Sequence, residues 1–113
     1  MSFVSKRLRG SAGHHEAYCT LQIAGVCGDP TTAKTAGCVL AHVRIAGEVG
    51  GGQKPDDHCA ALACGPCHTH FDSNGVRGLK RGSEEWLFYA LRGMARTMRF
   101  WRDNGFVSFG GDR

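Results

Sequence analysis

The sequence predicts a small α+β domain, and three observations carry that prediction. Cys38–Ile45 is rich in β-branched residues and alternates like a strand. Ser83–Asn104 repeats its apolar residues at helical spacing and has helix signals at both ends. Six cysteines and six histidines stand in a chain of only 113 residues, whose 17 glycines leave little room for long regular elements. A core this small needs a further staple, and clustered sulfur and imidazole can supply one.

Taken in order, residues 1–17 read as a flexible basic lead-in, and residues 18–113 as a single domain. Tyr18–Val26 alternates in part and reads as a short hairpin or an extended segment, flanked by Cys19 and Cys27. Gly28-Asp29-Pro30 is a turn signal, and Thr31–Gly37 a loop of small residues. In the strand Cys38–Ile45, Val39, Ala41 and Val43 share one face, and Leu40, His42 and Arg44 share the other. Gly47–Gly52 holds four glycines and reads as a connection; it lacks the Gly-Lys-Ser/Thr ending of a phosphate loop. His58–Ala63 is short and apolar, either a second strand or a helical turn, because periodicity does not separate the two.

Cys64-Gly65-Pro66-Cys67 forms a knuckle whose proline suits the first turn of a helix, since the missing N–H costs little there. That helix runs through His68–Ser73 and stops near Asn74-Gly75. In the last helix Ser83 is the N-cap, Glu84 and Glu85 sit at the positive end of the helix dipole, and Gly105 is the stop. Leu87, Leu91, Met94, Met98 and Trp101 form its apolar stripe, read as core. Arg92, Arg96 and Arg99 lie opposite, either as a solvated face or as phosphate contacts. Trp86, Phe88, Phe100 and Phe106 exceed what that stripe needs and leave a dimer or partner contact open.

No stretch has the roughly 18–20 apolar residues of a membrane span, and the first residues lack the apolar centre of a signal peptide. The expected compartment is a reducing cytoplasm, where clustered cysteines bind metal more often than they form disulfides. Cys19-x7-Cys27 and Cys64-x2-Cys67 together offer four thiolates for one structural zinc, with Cys38 and Cys59 as spares. The alternative is buried or redox-active thiols. A cysteine- and histidine-rich centre with net negative charge lies between two basic ends, and ten of the 14 basic residues are arginine. The pI near 8.9 is weak support alone, but arginine forks match phosphate geometry, so the charge pattern suits a nucleic-acid partner.

His42, Asp57, His68 and Asp72 form a second constellation. His68 and Asp72 are one helical turn apart and share a helix face. A strand histidine opposite a helix histidine suits general-base and divalent-metal chemistry. The order of strand histidine in Ala41-His42-Val43-Arg44, glycine-rich loop, short second element and Cys64-Gly65-Pro66-Cys67-His68 opening a helix resembles the HNH, or ββα-metal, endonuclease superfamily in its zinc-bearing form. More narrowly, CTLQIAGVC, VLAHVR, GEVGGGQKPDD and LACGPCH with Asp72 behind it resemble a family of small prophage-encoded nucleases related to the phage recombination-enhancement nuclease. About half of the chain carries the resemblance directly, and the GMART segment at Gly93–Thr97 carries it more softly.

The resemblance implies an HNH-like fold and a metal-dependent endonuclease acting in DNA recombination or processing. His42 takes the place of the general base. His68 is the first ligand of a catalytic Mg²⁺ or Mn²⁺, with Asp72 or Asp57 assisting, and Arg44 holds a neighbouring phosphate. A recombinase filament is the partner that the recombination-enhancement relative suggests. The chain departs from the superfamily in two places. Many relatives have a metal-binding acid just before the strand histidine, where this chain has Ala41. The asparagine that orients the base is not evident, and Asp57 or His58 falls nearest. The competing function is a non-catalytic zinc module that uses its basic ends to hold nucleic acid or protein.

Overall fold

A computed structural model describes residues 3–28, 37–45, 55–76 and 78–110. The glycine-rich segment 47–52 and most of the loop 31–37 lie outside the described residues. The elements are α1 (Lys6–Gly10), a 3₁₀ turn (Ser11–Gly13), β1 (Val39–His42), β2 (Ala60–Ala63), α2 (Gly65–Asp72) and α3 (Glu84–Asp103). The result is an α+β domain built on a two-stranded sheet, as the sequence predicts.

The expected flexible lead-in is instead a docked helix. Ser5 caps α1 by accepting the Leu8 N–H at 3.1 Å, and Leu8 is buried with Leu62, Phe100 and Trp101. Trp101 donates its indole N–H to Ser11 Oγ at 2.8 Å, and Arg7 donates to the Gly105 carbonyl. Charge alone suggests a solvated arm. One leucine and a few well-placed donors are enough to fix it between the 55–57 segment and the end of α3.

Tyr18–Val26 is not a hairpin and forms no strand: it is irregular chain with a bend at Thr20–Leu21 and a turn at Ala24–Val26, and Gln22 and Gly25 have positive φ of 46° and 76°. The two strands pair antiparallel, with Val39 opposite Ala63 and His42 opposite Ala60. Of the two readings left open for His58–Ala63, the strand is correct, and all four of its residues are buried. The Thr20 N–H and hydroxyl both donate to the Leu62 carbonyl, at 2.8 and 2.7 Å, and the Leu62 N–H donates to Thr97 Oγ1 at 3.0 Å. The Thr20 proton is thereby committed, so at 3.0 Å the Thr97 hydroxyl donates to Thr20 Oγ1. These bonds satisfy the Leu62 backbone on the side of β2 away from β1, where an open edge would otherwise leave it unpaired.

The apolar face of α3 matches the expected stripe only in part: Trp101 is buried and Met94 and Met98 pack against the core. The buried side chains are Trp86, Tyr89, Ala90, Gly93, Thr97, Phe100 and Trp101, whereas Leu87 is 45% and Leu91 73% exposed. The buried face is rotated by about one residue, or roughly 100°. Its small residues explain why. A Cβ at Gly93 would stand 2.8 Å from Leu21 Cδ2 and 3.0 Å from the Ala61 Cβ. Backbone approach and the Thr97 hydrogen bond to β2 therefore select the face, over greater side-chain hydrophobicity elsewhere. Trp86 and Phe100 belong to the core and are not held in reserve for a partner. At the other end, Trp86 stacks on Phe71 of α2 with ring centroids 4.7 Å apart and donates its indole N–H to the Phe71 carbonyl at 3.1 Å.

Candidate metal centre and histidine cleft

The turn between Cys19 and Cys27 closes on itself, with the Val26 and Cys27 N–H groups both donating to the Ile23 carbonyl. It delivers two sulfurs towards α2, where Cys64 is the N-cap residue and Cys67 faces inward from the first turn. The four sulfur atoms of Cys19, Cys27, Cys64 and Cys67 all lie within 4.8 Å of one another. Four sulfurs around a zinc ion at 2.3 Å would be about 3.8 Å apart, so a small inward movement completes a tetrahedron. The loose x7 spacing is no obstacle, because positive φ at Gln22 and Gly25 folds the extra residues into a knuckle.

The electrostatics fit a cation. Burial acts to raise the Cys19 thiol, yet the backbone N–H groups of Cys64 and Gln22 and the neighbouring sulfurs outweigh it, so its pKa falls below the usual value. Cys27 is pushed up to about 12, first by burial and then by the Cys19 charge beside it. Burial likewise raises Cys67, with the same neighbouring charge contributing. Burial and a neighbouring sulfur charge thus oppose ionisation of Cys27 and Cys67. A divalent cation is what allows all four to ionise, and the donor set suits a metal such as zinc. Cys38 and Cys59 stay outside the four, as expected. Burial, then the charges of Cys19 and Cys64, raises the Cys38 thiol to about 12.

Beside this centre lies a cleft of about 220 Å³ lined by His42, Arg44, Pro55, His68, Asp72 and Arg81. His42 projects from the last position of β1, on the face opposite Ala41, which is fully buried. His68 and Asp72 come from consecutive turns of α2, with Nε2 3.2 Å from Oδ2. The structure thus gathers His42, Arg44, His68 and Asp72 around one space. Arg81 joins them unanticipated, from the turn before α3, where sequence carries no periodic signal.

Asp57 does not line this cleft. It is fully buried, and both of its oxygens are engaged. Oδ1 lies 2.9 Å from His42 Nε2, and Oδ2 accepts from the Ser5 N–H at 2.7 Å and from Arg9 Nε at 2.8 Å. Burial opposes ionisation, but the Ser5 N–H, His42 and Arg9 outweigh it and hold the carboxyl down at about 2. The expectation that Asp57 assists at a metal gives way to a different geometry, in which it buttresses His42. The helix arginines also differ from expectation. Arg92 donates to the Leu21 and Gln22 carbonyls at 2.9 and 3.1 Å, and Arg96 to the Thr20 carbonyl at 3.3 Å. They tie the Cys19 turn to α3, while Arg99 is exposed.

A family model described as "Putative nuclease YbcO" matches residues 6–106. The chain belongs to the YbcO family. Two YbcO relatives bearing that description, from Escherichia coli strain K12 and from Enterobacteria phage 82, are each 40% identical to it over 90 residues. Those residues are 79% of this chain and 85% of each relative. A solved "putative bacteriophage protein" from Escherichia coli K-12 substrain MG1655 matches with a TM-score of 0.60 at 33% identity, over 88% of this chain and 100% of its own. The phage link expected from the sequence is therefore supported. Among the described residues, no helix is long and apolar enough to cross a membrane.

Proposed function

We infer that this YbcO-family chain is a metal-dependent endonuclease of the HNH, ββα-metal type, hydrolysing phosphodiester bonds in nucleic acid, with DNA the expected form. The nuclease descriptions of its relatives support the class. The observation that carries the reading is the pairing of His42 with a buried, ionised Asp57 at the wall of a cleft also lined by Arg44, His68, Asp72 and Arg81.

The chemistry follows from the pairing. A carboxylate only accepts hydrogen bonds, so Nε2 of neutral His42 carries the proton and Nδ1 carries the lone pair. His42 takes a proton from water as the water oxygen attacks phosphorus, and Asp57 stabilises the imidazolium that results. Arg44 and Arg81 face the phosphate oxygens, where guanidinium forks match the developing charge. His68 and Asp72 would hold a divalent cation, Mg²⁺ or Mn²⁺. When bound, that ion supplies Lewis-acid stabilisation of the leaving oxygen. The four cysteines would hold a structural zinc, which keeps the Cys19 turn and α2 in register beside the cleft.

The test is nicking of supercoiled plasmid, and of single-stranded circular DNA, with added Mg²⁺ or Mn²⁺. Wild type is expected to nick and His42→Ala to lose at least about 10²-fold in rate. Equal inertness of both proteins across metals and substrates would favour a zinc-binding module without catalysis.

A further inference from the structure

A second pocket, of about 520 Å³, adjoins the histidine cleft and shares Arg44 and Arg81 with it. Its other walls include Ile45, Lys80, Trp86 and Leu87, and among the described residues no carboxylate lines it. Its size falls within the roughly 300–1,000 Å³ of small-molecule sites. The wall is built rather than loose. Asn74 Oδ1 accepts the Arg81 N–H at 3.2 Å, the Gly75 N–H donates to the Leu79 carbonyl at 2.9 Å, and the Lys80 stem packs over Gly75.

Two features of this pocket have no structural use so far. Ile45 and Leu87 are large apolar side chains left 40% and 45% exposed. Leu87 is also the first residue of the stripe that the sequence marks as core, yet the fold leaves it outside. Lys80 and Arg81 place positive charge beside these apolar side chains. The combination fits a ligand that is anionic at one end and flat and apolar at the other, which is the chemistry of a nucleotide. A base in a duplex is stacked on both faces and paired along its edge, so its face cannot lie against Ile45 and Leu87. An unpaired base can.

We propose that this pocket is a subsite for one unpaired nucleotide adjoining the phosphodiester in the cleft, with its phosphate held by Lys80 and Arg81 and its base lying on Ile45 and Leu87. The substrate is then single-stranded or locally unpaired nucleic acid. This rests on the nuclease reading and sharpens it by naming the form of the substrate. A strand that leaves the His42–His68 cleft past the shared Arg44 and Arg81 enters the pocket directly, so one backbone path serves both sites.

The experiment is fluorescence anisotropy with the full zinc-loaded chain and no added divalent ion. The probes are a labelled 16-nucleotide oligothymidylate and a labelled 16-base-pair duplex. Lys80→Gln and Leu87→Gln change exposed side chains, and their thermal melting is measured to confirm the fold. Each is expected to weaken single-strand binding about 3–10-fold and to leave duplex binding unchanged. Lys80→Gln is also expected to reduce the log-log salt dependence by about 0.7, the loss of one phosphate contact on a single strand. Variants that bind the oligothymidylate as wild type does, or that lose duplex affinity equally, would overturn the subsite. Failure of the nuclease reading looks different: single-strand preference and variant effects persist while neither plasmid nor circular single strand is nicked.

Discussion

His42 Nε2 stands 2.9 Å from Asp57 Oδ1, and Asp57 is sealed from solvent. The other oxygen of Asp57 already accepts from the Ser5 N–H and Arg9 Nε. This makes Asp57→Asn an informative substitution. Two donors demand an oxygen at the Oδ2 position, so the amide NH₂ must take the Oδ1 position and donate to Nε2. His42 then carries its proton on Nδ1 and has no lone pair there to accept one from water. The expected outcome is a nearly isosteric, folded protein with nicking reduced about 10²–10⁴-fold. Nitrogen-15 shifts of the His42 ring check the tautomer directly. A variant whose ring still carries its proton on Nε2 would contradict the account.

The same carboxylate makes part of the stability acid-sensitive. Asp57 has a folded-state pKa of about 2 against an ordinary value of 3.8. A group depressed in this way stabilises the fold fully above the higher value, and its contribution is lost as pH falls through the lower one. The shift corresponds to about 2 kcal/mol. Urea denaturation should therefore show stability falling between roughly pH 4 and pH 2. In Arg9→Met, with one donor gone, the neutral-pH stability should be lower and the acid loss smaller.

How much of this was legible in the sequence depends on the range of the forces involved. The Cys64–Cys67 knuckle, the Ser83 cap and the β1 strand are written in near-neighbour residues, and they appear where local rules place them. The pairing of Cys19–Cys27 with Cys64–Cys67 was visible because four soft ligands have few other uses together. The docking of α1 was hidden, because it depends on a buried Asp57 about fifty residues away that no local pattern announces. The partner of His42 is legible only as a choice between Asp57 and His58, because the burial and the Ser5 and Arg9 hydrogen bonds that fix Asp57 come from a segment about fifty residues away. The face of α3 is legible only in part: Trp101, Met94 and Met98 pack on the core, but the close approach that Gly93 permits and the hydrogen bond that Thr97 makes turn Leu87 and Leu91 outward.

That rotation of α3 can be measured. Gly93→Leu forces a side chain between α3, Leu21 and Ala61, where even a Cβ stands 2.8 Å from its nearest neighbour. Overpacking of this kind should destabilise by about 2–3 kcal/mol or more, beyond any gain in helix propensity. Leu87→Gln, on the face that the sequence marked as core, should change stability by less than about 0.5 kcal/mol. Thermal or urea denaturation of the pair separates the two faces. The opposite ranking would restore Leu87 and Leu91 to the core.

The last prediction concerns the staple. If Cys19, Cys27, Cys64 and Cys67 clamp one zinc, mass spectrometry under native conditions should find one ion per chain, and Cys64→Ser should lose it. Chelation should leave four mutually crowded thiols, of which burial and the Cys19 charge keep Cys27 and Cys67 protonated. The turn at 19–27 would then be held to α2 without its ion, and metal binding that is coupled to folding contributes several kcal/mol. The melting temperature of the chelated protein should fall by at least about 15 °C. Chelation should make Cys19, whose pKa is lowered, reactive to alkylation, while Cys38 and Cys59 behave alike before and after. Because His68 directly follows Cys67 on α2 and Asp72 stands one turn beyond His68, nicking should fall together with zinc content and return when zinc is restored. Activity that survives complete zinc removal would separate the cysteine cluster from the cleft.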